Sequence, residues 1–335
     1  MTGRATSLYV RTPNWLGDTV MALPALAALR AGLPDARITV VGRWALLLRG
    51  QGVADVALDY PRTAAARRRL TRVLRADPPD MAVLLPNSFE AALAAWRWGA
   101  RRRIGFDTDG RQPLLSDRPS LPSPRRHQVD EYLLLVESVG ISASAAPPTF
   151  RAPADAAGER EVAELVASLA IAPGARLIGL HAGAAGGSAK QWEVAGFARL
   201  ADRLAKSGLI PVLLGGPEDS ARAAGIAAAA RSAPASLVGR DRPALLPHLL
   251  ARLSCLVSGD TGVAHLAAAL GIPTVTLFGP TDPHRTAPRS PSGRVLAGPA
   301  PCAPCFLSTC PIDHPCLRSV TARQVEDLVL EAVGA

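Results

Sequence analysis

Short apolar runs alternate with longer amphipathic segments along most of this 335-residue chain, and this alternation constrains the fold more than any single motif. Apolar runs of strand length favour buried strands, while apolar residues spaced three and four apart favour helices. Repeated strand–helix units favour parallel sheets with helices on both faces, because parallel neighbours need a crossover connection. The sequence therefore predicts an α/β protein with doubly wound, Rossmann-like sheets.

The pattern predicts strands at residues 8–11, 38–41, 81–85, 103–106, 177–181, 210–214, 236–238, 255–257 and 273–278. It predicts helices at residues 18–31, 89–98, 127–139, 194–206, 219–230, 266–270 and 321–333. Residues 107–127 are rich in proline, arginine, serine and aspartate, which predicts a long loop.

The stretch from Ala145 to Pro153 is the clearest linker, because its prolines stiffen the backbone and block helix formation. The strand–helix alternation restarts after it. We therefore expect an N-terminal domain at 1–150, a C-terminal domain at 151–320, and a terminal helix at 321–335 that could pack back on the first domain. Two such domains are expected to face a central cleft, where ligands usually bind.

Composition excludes several classes of protein. Hydrophobic residues make up 48% of the chain and charged residues 19%, which is typical of a globular protein with a core. No apolar run reaches the roughly 18 residues that a membrane span needs. The first residues lack the apolar region of a signal peptide, so a cytoplasmic location is expected.

A net charge of +9 is compatible with nucleic acid, anionic lipid or phosphorylated ligands. The chain lacks aromatic stacking platforms and a recognisable DNA-binding motif, so no nucleic-acid partner is expected. A basic protein that binds nucleic acid or an anionic surface stays as the alternative class. Two basic clusters are either solvated surface or contacts for anionic headgroups or a phosphorylated glycolipid. They comprise Arg67, Arg68, Arg69, Arg72 and Arg75, and residues 101–103.

The turn at residues 258–262 joins an apolar strand to a helix, and it is the most informative motif. Unpaired N–H groups and the helix dipole make such a helix N-terminus suitable for a phosphate. Asp260, Thr261 and His265 lie at the mouth of this turn. The alternative is an ordinary turn in which Asp260 or Thr261 serves as the helix N-cap.

A second polar loop follows the first strand of the C-terminal half. Gly183 and its small neighbours let the backbone approach a ligand closely, and Lys190 offers a point charge suited to a diphosphate. Lys190 is one of two lysines among 37 basic residues, which makes it distinctive, although it could be a solvated lysine before a helix. Gln191 follows it, so the loop is not a P-loop, and the chain also lacks a dinucleotide-binding fingerprint.

Two acidic sites also follow predicted strands. Glu218 and Asp219 could bond a ribose diol or cap the next helix. Asp18 lies at the start of the first helix, where it could cap that helix or act as a general base toward a sugar hydroxyl.

The C-terminal region carries four cysteines within fifteen residues, Cys302, Cys305, Cys310 and Cys316. Their spacing does not match paired zinc knuckles, so a structural metal, a disulfide pair and reduced thiols all remain open.

Taken together, the motifs resemble those of the bacterial ADP-heptose–lipopolysaccharide heptosyltransferases, glycosyltransferase family nine, most closely the heptosyltransferase II branch. The resemblance covers nearly the whole chain. It rests on Asn14-Trp15-Leu16-Gly17-Asp18, Lys190-Gln191-Trp192, the segment 259–265, Phe278-Gly279-Pro280-Thr281-Asp282-Pro283, and the cysteine-rich tail through Cys316-Leu317.

The resemblance implies a GT-B fold, two Rossmann-like domains, with the acceptor in the first and an ADP-sugar in the second. It implies that Asp18 is the general base and that Lys190, Thr261 and Gly262 stabilise the leaving diphosphate. It further implies an inverting transfer of heptose to the lipopolysaccharide inner core, with no catalytic metal and peripheral contact with the inner membrane. The remaining residues it implies are Asp260, His265, Glu218, Asp219 and Gly183 for the donor, and Asn14, Trp15 and Gly17 for the acceptor.

Overall fold

The computed structural model describes residues 6–172, 174–240 and 242–334. The chain forms two compact units, Met1–Phe150 and Arg151–Ala335. Each unit contains one sheet whose strand pairs are parallel, with helices between successive strands. The predicted α/β class is therefore confirmed.

The N-terminal unit has five strands in the order β3-β2-β1-β4-β5. The strands are β1 (Ser7–Arg11), β2 (Arg37–Gly42), β3 (Val56–Asp59), β4 (Met81–Leu84) and β5 (Arg102–Ile104). The helices are α1 (Leu16–Met21), α2 (Leu23–Gly32), α3 (Ala64–Ala76), α4 (Phe89–Arg97) and α5 (Gln128–Glu137). Short 3-10 helices occupy Ala45–Leu48 and Gln112–Leu114.

The single helix predicted at 18–31 is two helices, α1 and α2. Pro24 occupies the first turn of α2. A proline lacks the N–H that a continuous helix would use, and its ring clashes with the carbonyl four residues earlier. A proline is tolerated in the first turn, so a new helix begins there.

The C-terminal unit has six strands in the order β11-β10-β9-β6-β7-β8. The strands are β6 (Leu177–His181), β7 (Ile210–Leu214), β8 (Ala235–Ser236), β9 (Cys255–Gly259), β10 (Thr274–Phe278) and β11 (Gly293–Ala297). The helices are α6 (Ala156–Ala167), α7 (Val194–Lys206), α8 (Ser220–Ala229), α9 (Leu246–Leu250), α10 (Gly262–Ala269), α11 (Pro283–Thr286), α12 (Pro315–Arg318) and α13 (Ala322–Val333). Short 3-10 helices occupy Ser188–Lys190 and Pro217–Asp219.

The terminal helix α13 packs on α7, β9 and β10 of the C-terminal unit. Val325 and Val329 on α13 are fully buried in the same core as Leu200 and Leu204 of α7. The carboxylate of Glu326 accepts hydrogen bonds from Arg203 Nε and, at 3.1 Å, from Ser207 Oγ. Apolar burial and a partly buried ion pair therefore fix α13 to this unit.

No helix among the described residues is both long and apolar enough to cross a membrane. The strands of both sheets are largely buried, and the cores consist mostly of leucine, valine and alanine. This composition matches the low aromatic content of 4%.

Candidate active site

The C-terminal sheet changes direction of winding between β6 and β9, which pair directly, with His181 opposite Ser258. Ligands of open α/β sheets bind beyond the carboxyl ends of strands at such a switch point. Asp260 and Thr261 follow β9 immediately, and α10 begins at Gly262 with Thr261 at the N-cap position. The fold therefore places the helix N-terminus identified in the sequence where a ligand is expected.

Lys190 and Asp260 form an ion pair at the mouth of this turn. Asp260 Oδ2 accepts hydrogen bonds from Lys190 Nζ at 2.7 Å and from Thr281 Oγ1 at 2.8 Å. The Asp260 side chain is nearly buried, whereas that of Lys190 keeps about a quarter of its surface exposed, 23%. The structure thus brings together the two sequence-predicted loops and Thr281, which lies in the motif at residues 278–283.

A glycine makes this approach possible. A Cβ on Gly259 would lie 2.9 Å from the carbonyl oxygen of Lys190, closer than real Cβ contacts come. The strand end and the lysine loop therefore touch through bare backbone. The position of the Lys190 ammonium depends on this contact as well as on Asp260.

The loop that carries Lys190 is also held from the other side by the cysteine-bearing tail. Gly187 has a φ of +112°, and a Cβ there would lie 2.2 Å from the carbonyl oxygen of Ser308. The same oxygen accepts a hydrogen bond from the amide of Ala189 at 3.0 Å. The tail therefore helps to shape the loop that carries Lys190.

The carboxylate of Asp219 is hydrogen-bonded within its own loop. Its Oδ2 accepts a hydrogen bond from the amide of Gly216 at 3.1 Å, and a Cβ on Gly183 would lie 2.4 Å from both of its carboxylate oxygens. Burial, followed by the negative charge of Glu218, raises the pKa of Asp219. Glu218 itself is exposed, so it is the carboxylate of this pair that faces solvent.

Sequence reasoning missed a polar chain beneath Thr261. His181 Nδ1 lies 3.3 Å from Ser258 Oγ, which lies 2.8 Å from Thr261 Oγ1. Burial lowers the pKa of His181 to about 4, although the charge of Glu218 acts in the opposite direction. The signal was available as a histidine and a serine at the ends of two apolar strands. His265 is buried on α10, one turn beyond Thr261.

In the N-terminal unit, Asp18 lies in the first turn of α1, whose N-cap is Trp15. Gly17 is buried, Asp18 is half-buried, and Trp15 is 59% exposed. Helix α1 packs on α5, where the pKa of the buried Tyr132 is raised well above its usual value by burial and then by the charge of Asp18. Asp18 therefore lies near Tyr132, at the carboxyl end of β1.

A fully buried arginine supports the loop before Asp18. Arg11 Nη2 donates to Asn14 Oδ1 at 2.7 Å, and its guanidinium lies 3.9 Å from the centre of the Tyr60 ring. Tyr60 donates a hydrogen bond to Glu90, and burial followed by that bond raises the pKa of Tyr60 to about 12. Asn14 thus uses its side-chain oxygen inside the unit, a contact that the sequence did not indicate.

Arg67 lies on α3, but its side chain contacts Glu90 and Tyr60, the same residues that surround Arg11. Its Nη1 lies 3.7 Å from Glu90, and its guanidinium lies 5.1 Å from the centre of the Tyr60 ring. The other four arginines of the cluster on α3, Arg68, Arg69, Arg72 and Arg75, are exposed.

Comparisons with known proteins show the family of this chain. Residues 67–315 match the model of glycosyltransferase family 9 (heptosyltransferase). Lipopolysaccharide heptosyltransferase 2 of Salmonella typhimurium is 31% identical over 303 residues, which are 86% of this chain and 87% of that protein. The chain belongs to glycosyltransferase family 9.

Two solved structures are similar to this family 9 member. The structure of E. coli ADP-heptose lipopolysaccharide heptosyltransferase II has a TM-score of 0.82 and 27% identity and covers 98% of both chains. An E. coli heptosyltransferase with ADP shares the fold, with a TM-score of 0.74, 20% identity and coverage of 98% of this chain and all of that one. The predictions of family, GT-B class and glycosyltransferase activity, as a heptosyltransferase, are confirmed.

The four cysteines of the C-terminal region differ in exposure. Cys302 is exposed, Cys305 and Cys310 are half-buried, Cys316 is buried, and none of them is in a disulfide. Within residues 6–172, 174–240 and 242–334, no group of three or more histidine, cysteine or acidic side chains is placed to hold a metal ion. The same region contacts a second site loop, since the amide of Phe306 donates to the carbonyl of Pro280 at 2.7 Å.

Proposed function

We propose that this heptosyltransferase moves a heptose from ADP-heptose to the inner core of lipopolysaccharide, with inversion at the anomeric carbon. One observation carries the proposal: the Lys190 ammonium, oriented by Asp260, lies beside the turn that starts α10 at the switch point of the sheet. An ammonium and a helix N-terminus together suit a leaving diphosphate. The names of the similar heptosyltransferases support the heptose donor and the lipopolysaccharide acceptor.

In the proposed reaction, the Asp18 carboxylate removes the proton of an acceptor hydroxyl as its oxygen attacks the anomeric carbon. The bond from that carbon to the diphosphate oxygen breaks, and ADP leaves with the electron pair. A single displacement on one face of the sugar inverts the anomeric configuration.

Negative charge grows on the diphosphate as this bond breaks, so groups that already point at it lower the barrier. An ammonium has three N–H donors, and Asp260 occupies only part of them, so Lys190 retains donors for phosphate oxygens. The amides of the first turn of α10, from Gly262, supply further donors. These charges make a catalytic metal unnecessary in the proposal.

For donor recognition, we assign the ribose to Glu218, because Asp219 is engaged by the Gly216 amide. Gly183 lets the backbone approach the donor, and His265 shapes the site from within α10. Trp15 offers an exposed indole to the acceptor sugar, and Asn14 and Gly17 fix the loop on which it stands.

For membrane contact, we propose the exposed face of α3. Arg68, Arg69, Arg72 and Arg75 are exposed there without a carboxylate between them in the sequence. Juxtaposed arginines attract anionic headgroups by about 1 kcal/mol each near the surface. Sedimentation with anionic and neutral vesicles tests this, because a charge-dependent contact requires binding to the anionic vesicles alone.

The deciding experiment measures transfer from ADP-heptose to a heptose-deficient lipopolysaccharide acceptor, together with calorimetric binding of ADP, UDP and GDP. We expect Asp18→Asn to abolish transfer and to leave ADP binding within about twofold, since only the base is lost. We expect Lys190→Ala to weaken ADP binding, whereas Lys206→Ala, at the exposed end of α7, serves as the matched control. Preferential binding of UDP or GDP would favour the alternative, a GT-B transferase with another nucleotide-sugar.

A further inference from the structure

Three hydroxyl and imidazole groups form a continuous hydrogen-bonded chain from the interior of the C-terminal sheet to the proposed phosphate site. It begins at His181 at the end of β6, passes through Ser258 on β9 and ends at Thr261 before α10. His181 and Ser258 are both buried, and they are direct partners across the two strands. The hydrogen-bonded chain therefore reaches the proposed phosphate site through one group, the hydroxyl of Thr261.

The direction of this chain decides what Thr261 offers to a ligand. A neutral imidazole has one N–H donor and one acceptor nitrogen, while each hydroxyl donates one proton and accepts others. If Nδ1 accepts from Ser258, then Ser258 accepts from Thr261, and Thr261 presents lone pairs outward. If Nδ1–H donates to Ser258, the Ser258 proton is free to bond Thr261, and the Thr261 proton then points outward.

We propose that His181 is a positioning residue whose Nδ1–H tautomer directs the Thr261 hydroxyl proton toward a phosphate oxygen of the sugar-nucleotide. This inference rests on the proposed function, because it takes the anion at α10 to be the donor diphosphate. A phosphate oxygen only accepts hydrogen bonds, so outward lone pairs on Thr261 would repel it, whereas an outward proton binds it. His181 acts through Ser258 and does not itself touch the donor.

The neutral state of His181 limits the hydrogen-bonded chain to the two directions described above. Burial lowers the pKa of this imidazole to about 4, so at neutral pH it is uncharged and only one of its two ring nitrogens carries a proton. The N-cap position of Thr261 is consistent with this role, because its hydroxyl pairs with Ser258 at 2.8 Å and is not engaged with the helix amides of this described segment. The serine thus sets the rotamer and the proton of the threonine together.

A double-mutant cycle on ADP binding tests the coupling. We expect Thr261→Val to weaken binding about tenfold and Ser258→Ala about threefold to fivefold, because each removes or misdirects one hydrogen bond to a charged group. In the Thr261→Val background, Ser258→Ala should have no further effect. Additive losses, or full affinity in Ser258→Ala, would overturn the proposal.

Two controls separate this role from a structural one. Ser236→Ala, in the short strand β8, should leave ADP affinity unchanged. Where Ser258→Ala fails to fold, Ser258→Cys replaces it, since a thiol of similar shape is a weak donor and should also weaken ADP binding.

The tautomer is measured directly by nitrogen-15 NMR of the wild-type protein labelled at histidine. A protonated Nδ1 and unprotonated Nε2 in His181 are expected, and the reverse assignment overturns the proposal. If the wild type binds no ADP, the assignment of the donor fails. In that case the NMR result still decides the direction of the chain, so the two failures remain distinguishable.

Discussion

Lys190 Nζ lies 2.7 Å from Asp260 Oδ2, although the two residues are seventy positions apart in the chain. The contact places a cation next to a helix N-terminus and holds it with a carboxylate that Thr281 also binds, at 2.8 Å. A flexible lysine side chain loses considerable entropy when it is immobilised. Asp260 therefore holds the Lys190 ammonium in place before a ligand binds, although its carboxylate offsets part of the ammonium charge.

The first prediction concerns this pair. Asp260→Asn should lower kcat about tenfold, because the amide no longer fixes Lys190, while ADP affinity changes by less than about threefold since one negative charge is also removed. Steady-state kinetics and calorimetry measure the two effects. An unchanged kcat would show that Lys190 needs no orientation by Asp260.

The second prediction concerns the loop that carries Lys190. Gly187→Ala should lower the free energy of unfolding by more than about 2 kcal/mol and weaken ADP binding, because its positive φ and the Ser308 carbonyl leave no room for a Cβ. Gly208→Ala is the matched control, since Gly208 has a φ of +73° but no atom within 4 Å of its added Cβ. That control should cost only about 1 kcal/mol, from backbone strain. Equal effects in urea unfolding of the two variants would contradict the role of Ser308.

The third prediction concerns Arg11. Arg11→Met should lower the free energy of unfolding by about 2–4 kcal/mol, because it removes a buried charge that bonds Asn14 and stacks on Tyr60. We expect a raised KM for the acceptor with unchanged ADP affinity, since the Asn14 loop lies in the N-terminal unit. Arg37→Met, which breaks an exposed ion pair with Asp77, should change stability by less than about 0.5 kcal/mol. A similar fall in the free energy of unfolding in both variants would mean that the buried Arg11 contributes no more to stability than an exposed arginine.

The fourth prediction concerns pH. Burial lowers the pKa of His181 to about 4 in the folded protein, against an ordinary value of 6.5. Between these values the unfolded chain binds a proton that the folded protein rejects, so the free energy of unfolding rises with pH across this window. The contribution of neutral His181 to the free energy of unfolding is fully present above about pH 6.5. This contribution, roughly 2–4 kcal/mol, is lost as the pH falls toward 4. Urea unfolding of the wild type should show this slope, and His181→Gln should show a flatter one.

The fifth prediction concerns metals. Dialysis against a chelator should leave transfer activity within about twofold, because Lys190 and the start of α10 supply the charge that a metal would otherwise provide. Elemental analysis of the purified protein tests the cysteine-rich tail independently of activity. Loss of activity that added divalent metal restores would contradict metal-free catalysis.

The sequence predicted much of the fold because strand and helix periods are local properties. The bounds of β6, β7 and α7 agree with the predicted segments at 177–181, 210–214 and 194–206. Elements with weak local signals were omitted, including the short helix α9 and the edge strand β11. An edge strand that is only partly buried lacks the continuous apolar run that marks a central strand.

The sequence by itself determined the α/β class, the family and the loops at the carboxyl ends of the strands, since these follow from residue order over short spans. Only the tertiary structure decided which side chains meet there. It paired Lys190 with Asp260, buried Arg11 beneath Asn14, linked His181 to Thr261 through Ser258, and fixed α13 to α7. Each of these contacts joins side chains from different elements. Their geometry depends on how strands and helices pack, which no local periodicity encodes.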